Sequence, residues 1–261
     1  KKIGQKLTLL LCTLGLLKQV DIRFTSDRTT LFNINKNFIK KTLFKLKLFY
    51  SKEIIEVNSR TYDMSLNNTY KNTNKKIVLL DAMVDHTEEL RIRGAWSKSK
   101  TKKHYKNLKL FLKKISNHYN KKVCICIHPK DDIKKKKKIF KGYEVKQFET
   151  QKNIYKAFLV LFFDTSAIID AILLKKKIIY IVSDEIPKSF TDIGKSYATR
   201  AGIFEFNIED NFDKIKSKLI YILTKHTNNY DKYIKNYIIL KSRLPGWEVV
   251  ISTLKKRYFG K

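Results

Sequence analysis

Glycine and proline are scarce, eight and three in 261 residues. So few chain breakers predict long helices and strands. Neither a G-x-G-x-x-G fingerprint nor a P-loop occurs, which argues against ordinary dinucleotide and P-loop NTPase chemistry. Cysteine is equally sparse. Cys124 and Cys126 alternate along one apolar run, Cys12 stands apart, and no C-x-x-C pair exists. Neither a disulfide framework nor a zinc site is therefore expected, and a reducing, cytoplasmic setting fits. Long apolar runs are missing too. Leu7–Leu17 extends over only about eleven residues, where a bilayer span needs about 20. It follows Lys1, Lys2 and Lys6 like a signal-peptide core, but no small-residue cleavage site follows it. A core or membrane-surface helix is the better reading. The first residue is Lys rather than Met, so a fragment or a chain that has lost its start is expected.

Acidic residues are the minority charge, 24 against 56 Lys and Arg, for a net charge of +32. Such a balance favours polyanionic partners: a phosphorylated substrate, an anionic membrane surface or nucleic acid. The lysines are dispersed, however, and accompany abundant Ile and Asn, as an AT-biased genome produces. No RRM, KH or helix-turn-helix pattern appears, so nucleic acid is the weaker reading. The 43% hydrophobic content supports a sizeable core.

Residues 1–74 read as a small or truncated N-terminal portion or a linker. Leu7–Val20 is a helix candidate, Asp21–Thr25 and Ile54–Val57 are strand candidates, and Asn37–Phe49 is basic and amphipathic. Tyr62–Asn74 is rich in Asn and Thr and reads as a linker. From Lys75 the pattern sharpens. Strands are predicted at Lys76–Leu80, Val123–Ile127, Tyr143–Phe148, Phe158–Phe163, Ile178–Val182 and Gly202–Asn207. Helices are predicted between them at Thr101–Tyr119, Ile133–Phe140, Thr150–Ala157 and Ala167–Leu174. Asp184–Gly194 reads as a loop, Ile208–Lys225 and Tyr230–Leu240 as helices, and Trp247–Tyr258 as a closing helix packed by Trp247. Strand and helix alternate, the pattern of a doubly wound α/β domain with a parallel sheet. The expected layout is a small N-terminal portion, an α/β domain over 75–245, and a closing helix over 246–261.

Such sheets bind ligands at the carboxyl ends of their strands. That ranks Asp81, His128, Glu149, Asp164–Ser166 and Ser183–Glu185. His128 ends an apolar strand and precedes Pro129, which holds it extended. An imidazole there can donate to a phosphate oxygen or protonate a leaving phosphate. Asp164, Thr165 and Ser166 open a helix, where hydroxyls and free amides suit a phosphate, or where they simply cap. His86 and His104 read as surface residues, and Lys134–Lys138 as a solvated helix face. Asp85, His86 and Glu88 read as a mixed-charge loop.

HPK (His128–Lys130) and DTSAIIDA (Asp164–Ala171), each after a strand of one sheet, resemble the nucleotide-binding half of GT-B glycosyltransferases of bacterial surface polysaccharide synthesis. More narrowly they look like the HP and Ser/Thr motifs of bacterial sialyltransferases and polysialyltransferases. Lys75–His86 is similar to the strand and loop opening the second domain of such proteins. The resemblance covers residues 75–200. It implies a Rossmann-like GT-B C-terminal half and a nucleotide-sugar donor, CMP-linked in the narrower version, with a glycan acceptor. His128 is then the catalytic group at the donor phosphate, with Pro129, Lys130, Thr165 and Ser166 holding that phosphate. Glu149 and Asp170 reach the ribose or base. No metal or other cofactor is expected. The general base of these families lies in an acidic N-terminal motif, and no such motif precedes residue 75. The alternatives are a basic nucleic-acid-binding protein and a non-catalytic nucleotide-binding remnant. The expected location is the cytoplasm, or the periphery of the membrane's inner face.

Overall fold

The apolar runs KIVLL, VCICI and KIIYIV are buried except at the end residues Lys76, Lys177 and Val182, as strands covered on both faces must be. They belong to one six-stranded sheet. The computed structural model describes residues 20–26, 38–45, 51–66, 70, 73–82, 84–85, 98–227, 229–238 and 244–260. The predicted helix over Leu7–Val20, Cys12, His86 and Glu88 lie outside the described residues, apart from Val20 itself.

The chain divides into two compact units, Lys1–Asn68 with Tyr233–Lys261, and Thr69–Lys232. In the first, β1 (Val20–Thr25) pairs in parallel with β2 (Ser51–Glu56). Helices α1 (Phe38–Lys45) and α2 (Arg60–Leu66) accompany them. The chain expected to be linker after Tyr62 is therefore helical as far as Leu66.

The second unit carries β3 (Lys76–Leu80), β4 (Val123–Ile127), β5 (Glu144–Gln147), β6 (Ala157–Phe162), β7 (Lys177–Val182) and β8 (Phe204–Asn207). All neighbours are parallel, in the order β5-β4-β3-β6-β7-β8. Counted from its first strand this is 3-2-1-4-5-6, the doubly wound order of dinucleotide-binding folds, with its switch point between β3 and β6. The α/β, Rossmann-like architecture is that expected from the alternation of elements. Helix α3 (Lys98–Tyr119) buries Tyr105, Leu108, Phe111, Leu112 and Ile115 in the core, as its three-and-four spacing predicts. The crossovers include α4 (Ile133–Ile139), α5 (Thr150–Tyr155), α6 (Ile168–Leu173) and α7 (Lys188–Ala201).

Three expectations change here. The predicted loop Asp184–Gly194 becomes helix from Lys188, directly after Pro187, which stands at its N-cap. Gly194 belongs to that helix, and a Cβ on it would lie 1.9 Å from the Phe163 carbonyl oxygen, so only glycine lets the helix approach the end of β6. The predicted helix Ile208–Lys225 is broken. Asn211 caps a 3-10 turn over Phe212–Lys214, and α8 begins only at Leu219 and runs to Thr227. Helix α9 (Tyr230–Tyr237) follows, then α10 (Gly246–Tyr258) in the first unit. Trp247 is exposed rather than packed. The start of α10 is fixed instead by the Gly246 amide, which donates to both Asp63 carboxylate oxygens at 2.8 and 2.9 Å.

Candidate functional site at the switch point

The register of the central strands places the candidate residues. Cys126, Leu80 and Phe162 lie side by side across β4, β3 and β6. His128, Ala82 and Asp164 follow two residues beyond these positions, past the ends of the three strands. Strands lie about 4.8 Å apart, so the ends of β4 and β6 stand about 10 Å apart, with the end of β3 between them. The HP and DTS segments therefore flank the switch point from opposite sides.

His128 is exposed, and its ring is held from one side. The Lys130 amide donates to Nδ1 at 3.1 Å. A backbone N–H can only donate, so Nδ1 accepts, and the neutral ring carries its proton on Nε2. The turn is closed by the Asp131 amide on the His128 carbonyl, 3.0 Å. Pro129 and Lys130 are exposed at its tip. Asp132 then caps α4, its Oδ1 accepting from the Lys134 and Lys135 amides at 2.8 and 3.1 Å.

On the other side the helix begins later than expected. Asp164 does not cap it. Its Oδ1 accepts from the Gly194 amide at 2.5 Å, which ties α7 to the end of β6. Thr165 Oγ1 accepts from the Ala167 amide at 3.3 Å, and Ser166 is exposed in the turn before α6. Six residues of helix carry little dipole, so the hydroxyls and the turn are what this edge offers a ligand.

Beneath the His128 turn lies a buried charge cluster that the sequence reading did not anticipate. Lys136 sits in a run of five lysines expected to be solvated, yet it is fully buried. Its Nζ lies 2.6 Å from Asp81, 2.8 Å from Asp85, 3.8 Å from Asp131 and 2.7 Å from the Tyr105 hydroxyl. Burial works against the ammonium, but the three carboxylates overcome it and hold Lys136 above its ordinary pKa. Burial raises Asp81 to about 6, with Lys136 opposing. Asp85 is less enclosed. Burial works to raise it, but Lys136 and Lys135 overcome that and hold it at about 2. Asp81 is thus occupied inside the fold and is not presented to a ligand.

His104, expected at the surface, is fully buried beside this cluster, its ring 5.0 Å from Phe163 and 5.2 Å from Tyr105. Neither ring nitrogen has a hydrogen-bond partner. Burial, assisted by Lys136, lowers its pKa to about 3.

The remaining candidates divide. Glu149 follows β5 and pairs with Lys152 at 3.2 Å and Lys146 at 3.7 Å; the Lys152 contact, with the charge of Lys146, lowers its pKa. Before it stands Phe148, 76% exposed with φ +63°, a left-handed conformation that a bulky side chain rarely adopts. Asp170 accepts from Gln151 at 3.2 Å, and burial raises it to about 6. Ser183–Glu185 is engaged internally. Ser183 donates to Glu209 at 2.8 Å, Asp184 accepts from Asn207 at 2.8 Å, and Glu185 pairs with Lys103 at 2.5 Å. Among the described residues no group of three His, Cys, Asp or Glu could hold a metal ion. A cleft of about 280 Å³ lies away from the switch point, between α3 and the turn after β8, lined by Asn107, Phe111, Glu209 and Phe212.

No protein-family model matches this chain, and no curated protein matches it significantly. Among solved structures it is similar to the Methanocaldococcus jannaschii UDP-GlcNAc 2-epimerase in complex with UDP-GlcNAc and UDP, with a TM-score of 0.47 and 17% identity, over 84% of this chain and 59% of that one. It is also similar to the wall teichoic acid polymerase TagF, with a TM-score of 0.44 and 8% identity, over 91% of this chain and 59% of that one. The chain therefore spans 59% of the length of each.

Proposed function

We propose that this chain binds the phosphate of a nucleotide-activated sugar across the switch point and serves a glycosyltransferase. The observation carrying this reading is the strand order β4-β3-β6, which sets His128, its Nδ1 engaged by the Lys130 amide, after one neighbour of β3 and the Thr165 and Ser166 hydroxyls after the other. The separation of about 10 Å between the ends of β4 and β6 leaves room for a phosphate or pyrophosphate held from both sides. His128 donates from Nε2 to the phosphate oxygen, and that donation strengthens as the sugar–oxygen bond breaks and negative charge builds on the leaving group. Pro129 and Lys130 form the turn that presents the ring. Phe148 offers an exposed ring face for the base, with Glu149 next to it for the ribose or base. Asp170 is the second nucleoside candidate. The similarity of HPK and DTSAIIDA to sialyltransferase motifs favours a CMP-linked donor and a surface glycan as acceptor. The acceptor's general base is not assigned to a residue of this chain.

Thermal shift with CMP, UDP, GDP and RNA tests this. Ligand at 100 times its Kd adds about 2.7 kcal/mol of stability, a rise of several degrees for a unit of this size. One nucleotide is expected to produce it. His128→Ala and Ser166→Ala are each expected to weaken that binding about tenfold or more, the value of a hydrogen bond to a charged group. Salt-sensitive RNA binding with no nucleotide effect would contradict the reading. Nucleotide binding with no sugar transfer would leave a binding remnant.

The membrane partner has a candidate surface in α10. Trp247, Ile251, Leu254 and Tyr258 share one stripe at helical spacing. Trp247, Ile251 and Tyr258 are 57, 43 and 53% exposed. Lys255, Lys256 and Arg257 accompany them, a composition suited to lying in an anionic interface. No helix among the described residues is long and apolar enough to cross a membrane. Co-sedimentation with phosphatidylglycerol vesicles is expected, and not with phosphatidylcholine alone. Trp247→Glu with Tyr258→Glu should reduce it at least about fivefold, the loss of roughly 1 kcal/mol or more of apolar burial. Unchanged sedimentation of that double variant would remove α10 from the role.

A further inference from the structure

The His128 turn is held by a side chain that no motif reading singled out. Gln147 ends β5 and stands beside Ile127 in the β4–β5 register, one residue before His128. Its Nε2 donates to the carbonyls of Asp131 at 2.9 Å, Pro129 at 3.0 Å and, more weakly, His128 at 3.4 Å. All three neighbours are acceptors, so only the NH2 end of the amide can face them. Three carbonyl oxygens drawn toward one point repel one another unless a donor sits among them. Gln147 supplies that donor.

We infer that Gln147 is a positioning residue for His128: by gathering these carbonyls it closes the turn that delivers the Lys130 amide to Nδ1, and so keeps the proton on the outward Nε2. The chain of contacts is continuous. Gln147 holds the Pro129 and Asp131 carbonyls. The Asp131 amide then reaches the His128 carbonyl at 3.0 Å, and the Lys130 amide reaches Nδ1 at 3.1 Å. The β4 strand, Asp132 and Lys136 place the turn as a body. Gln147 sets its internal geometry. The geometric inference stands on these contacts alone, while its consequence for ligand affinity rests on the nucleotide-phosphate reading.

Gln147 is only half-buried and lies on an edge strand, so its replacement leaves the core intact. Gln147→Met removes the donor at similar volume. Gln147→Glu places a carboxylate against three carbonyls. Gln147→Lys keeps a donor-only group and is the rescue variant. The readouts are hydrogen exchange of the Lys130 amide and the imidazole nitrogen spectrum of His128, assigned with His128→Ala, at one fixed pH. In the parent and Gln147→Lys, a protected Lys130 amide and one Nε2–H tautomer are expected. In Gln147→Met and Gln147→Glu, Lys130 should exchange about tenfold faster, and the ring nitrogens should move toward the averaged values of a free imidazole. Unchanged exchange and spectra in both variants would overturn the inference. If the signatures change as expected but neither CMP, UDP nor GDP binds the parent, the positioning role stands and the nucleotide reading fails.

Discussion

Lys136→Met is expected to destabilise the second unit by about 3–5 kcal/mol, the range for removing one partner of a buried ion pair. The ammonium is fully buried, as is Asp81, and Asp85 and Tyr105 contact the same nitrogen. Methionine keeps most of the volume and removes the charge. Asp81 must then take up a proton or remain as an uncompensated anion, and its second oxygen already lacks a partner. A fall in Tm of roughly 10 °C follows for a unit of this size. Adding Asp81→Asn to Lys136→Met should recover at least about 1 kcal/mol, because contacting charges do not act additively. Urea unfolding of the parent, the single variants and the double variant gives all four values. A Lys136→Met variant within about 1 kcal/mol of the parent would show that the ammonium does not compensate these carboxylates.

His104 gives the second large effect, and its sign follows from linkage. The native pKa is about 3, lowered chiefly by burial, against 6.5 for an ordinary imidazole. Between those values the unfolded chain binds a proton that the native ring does not. His104 therefore leaves stability untouched above pH 6.5 and removes it progressively as pH falls toward 3. At pH 4.5 the loss amounts to about 3 kcal/mol, at 1.36 kcal/mol per pH unit. His104→Leu abolishes that titration and also removes two unpaired buried nitrogens. The variant should gain on the parent steadily as the solution is acidified. Asp81 titrates in an overlapping window with the opposite sign. Its raised pKa favours the native state as pH falls toward 6 and below, but it is present in both proteins and cancels in the difference. Parallel pH profiles of the two proteins, followed by urea unfolding from pH 7 to pH 4, would refute the assignment.

The strands were legible because parallel strands buried on both faces read as continuous apolar runs, and α3 because its apolar residues recur every three or four positions. The sheet order was not, since pairing β3 with both β4 and β6 depends on contacts far apart in the chain. Lys136 illustrates the limit of composition. In a run of identical lysines only helix phase distinguishes one from the next. The signal was present, because Ile133, Lys136 and Phe140 follow three-and-four spacing and place Lys136 on the apolar face. His104 carried the same signal, four residues before the buried Leu108. Asp164 read as a cap because its local neighbours are cap-like, whereas its carboxylate turns to Gly194, 30 residues away. Gln147 had no local signature. Its role arises from the register that sets β5 beside β4.

The proposed function requires one ligand phosphate to meet both flanks of the switch point. Titrating the nucleotide that stabilises the protein into 15N-labelled chain, and following backbone amides, measures this directly. The expected result is that His128–Lys130, leaving aside Pro129, and Thr165–Ala167 shift together and saturate with a single Kd. Shifts confined to one flank, or centred on Asn107, Phe111 and Glu209 at the outer cleft, would contradict it.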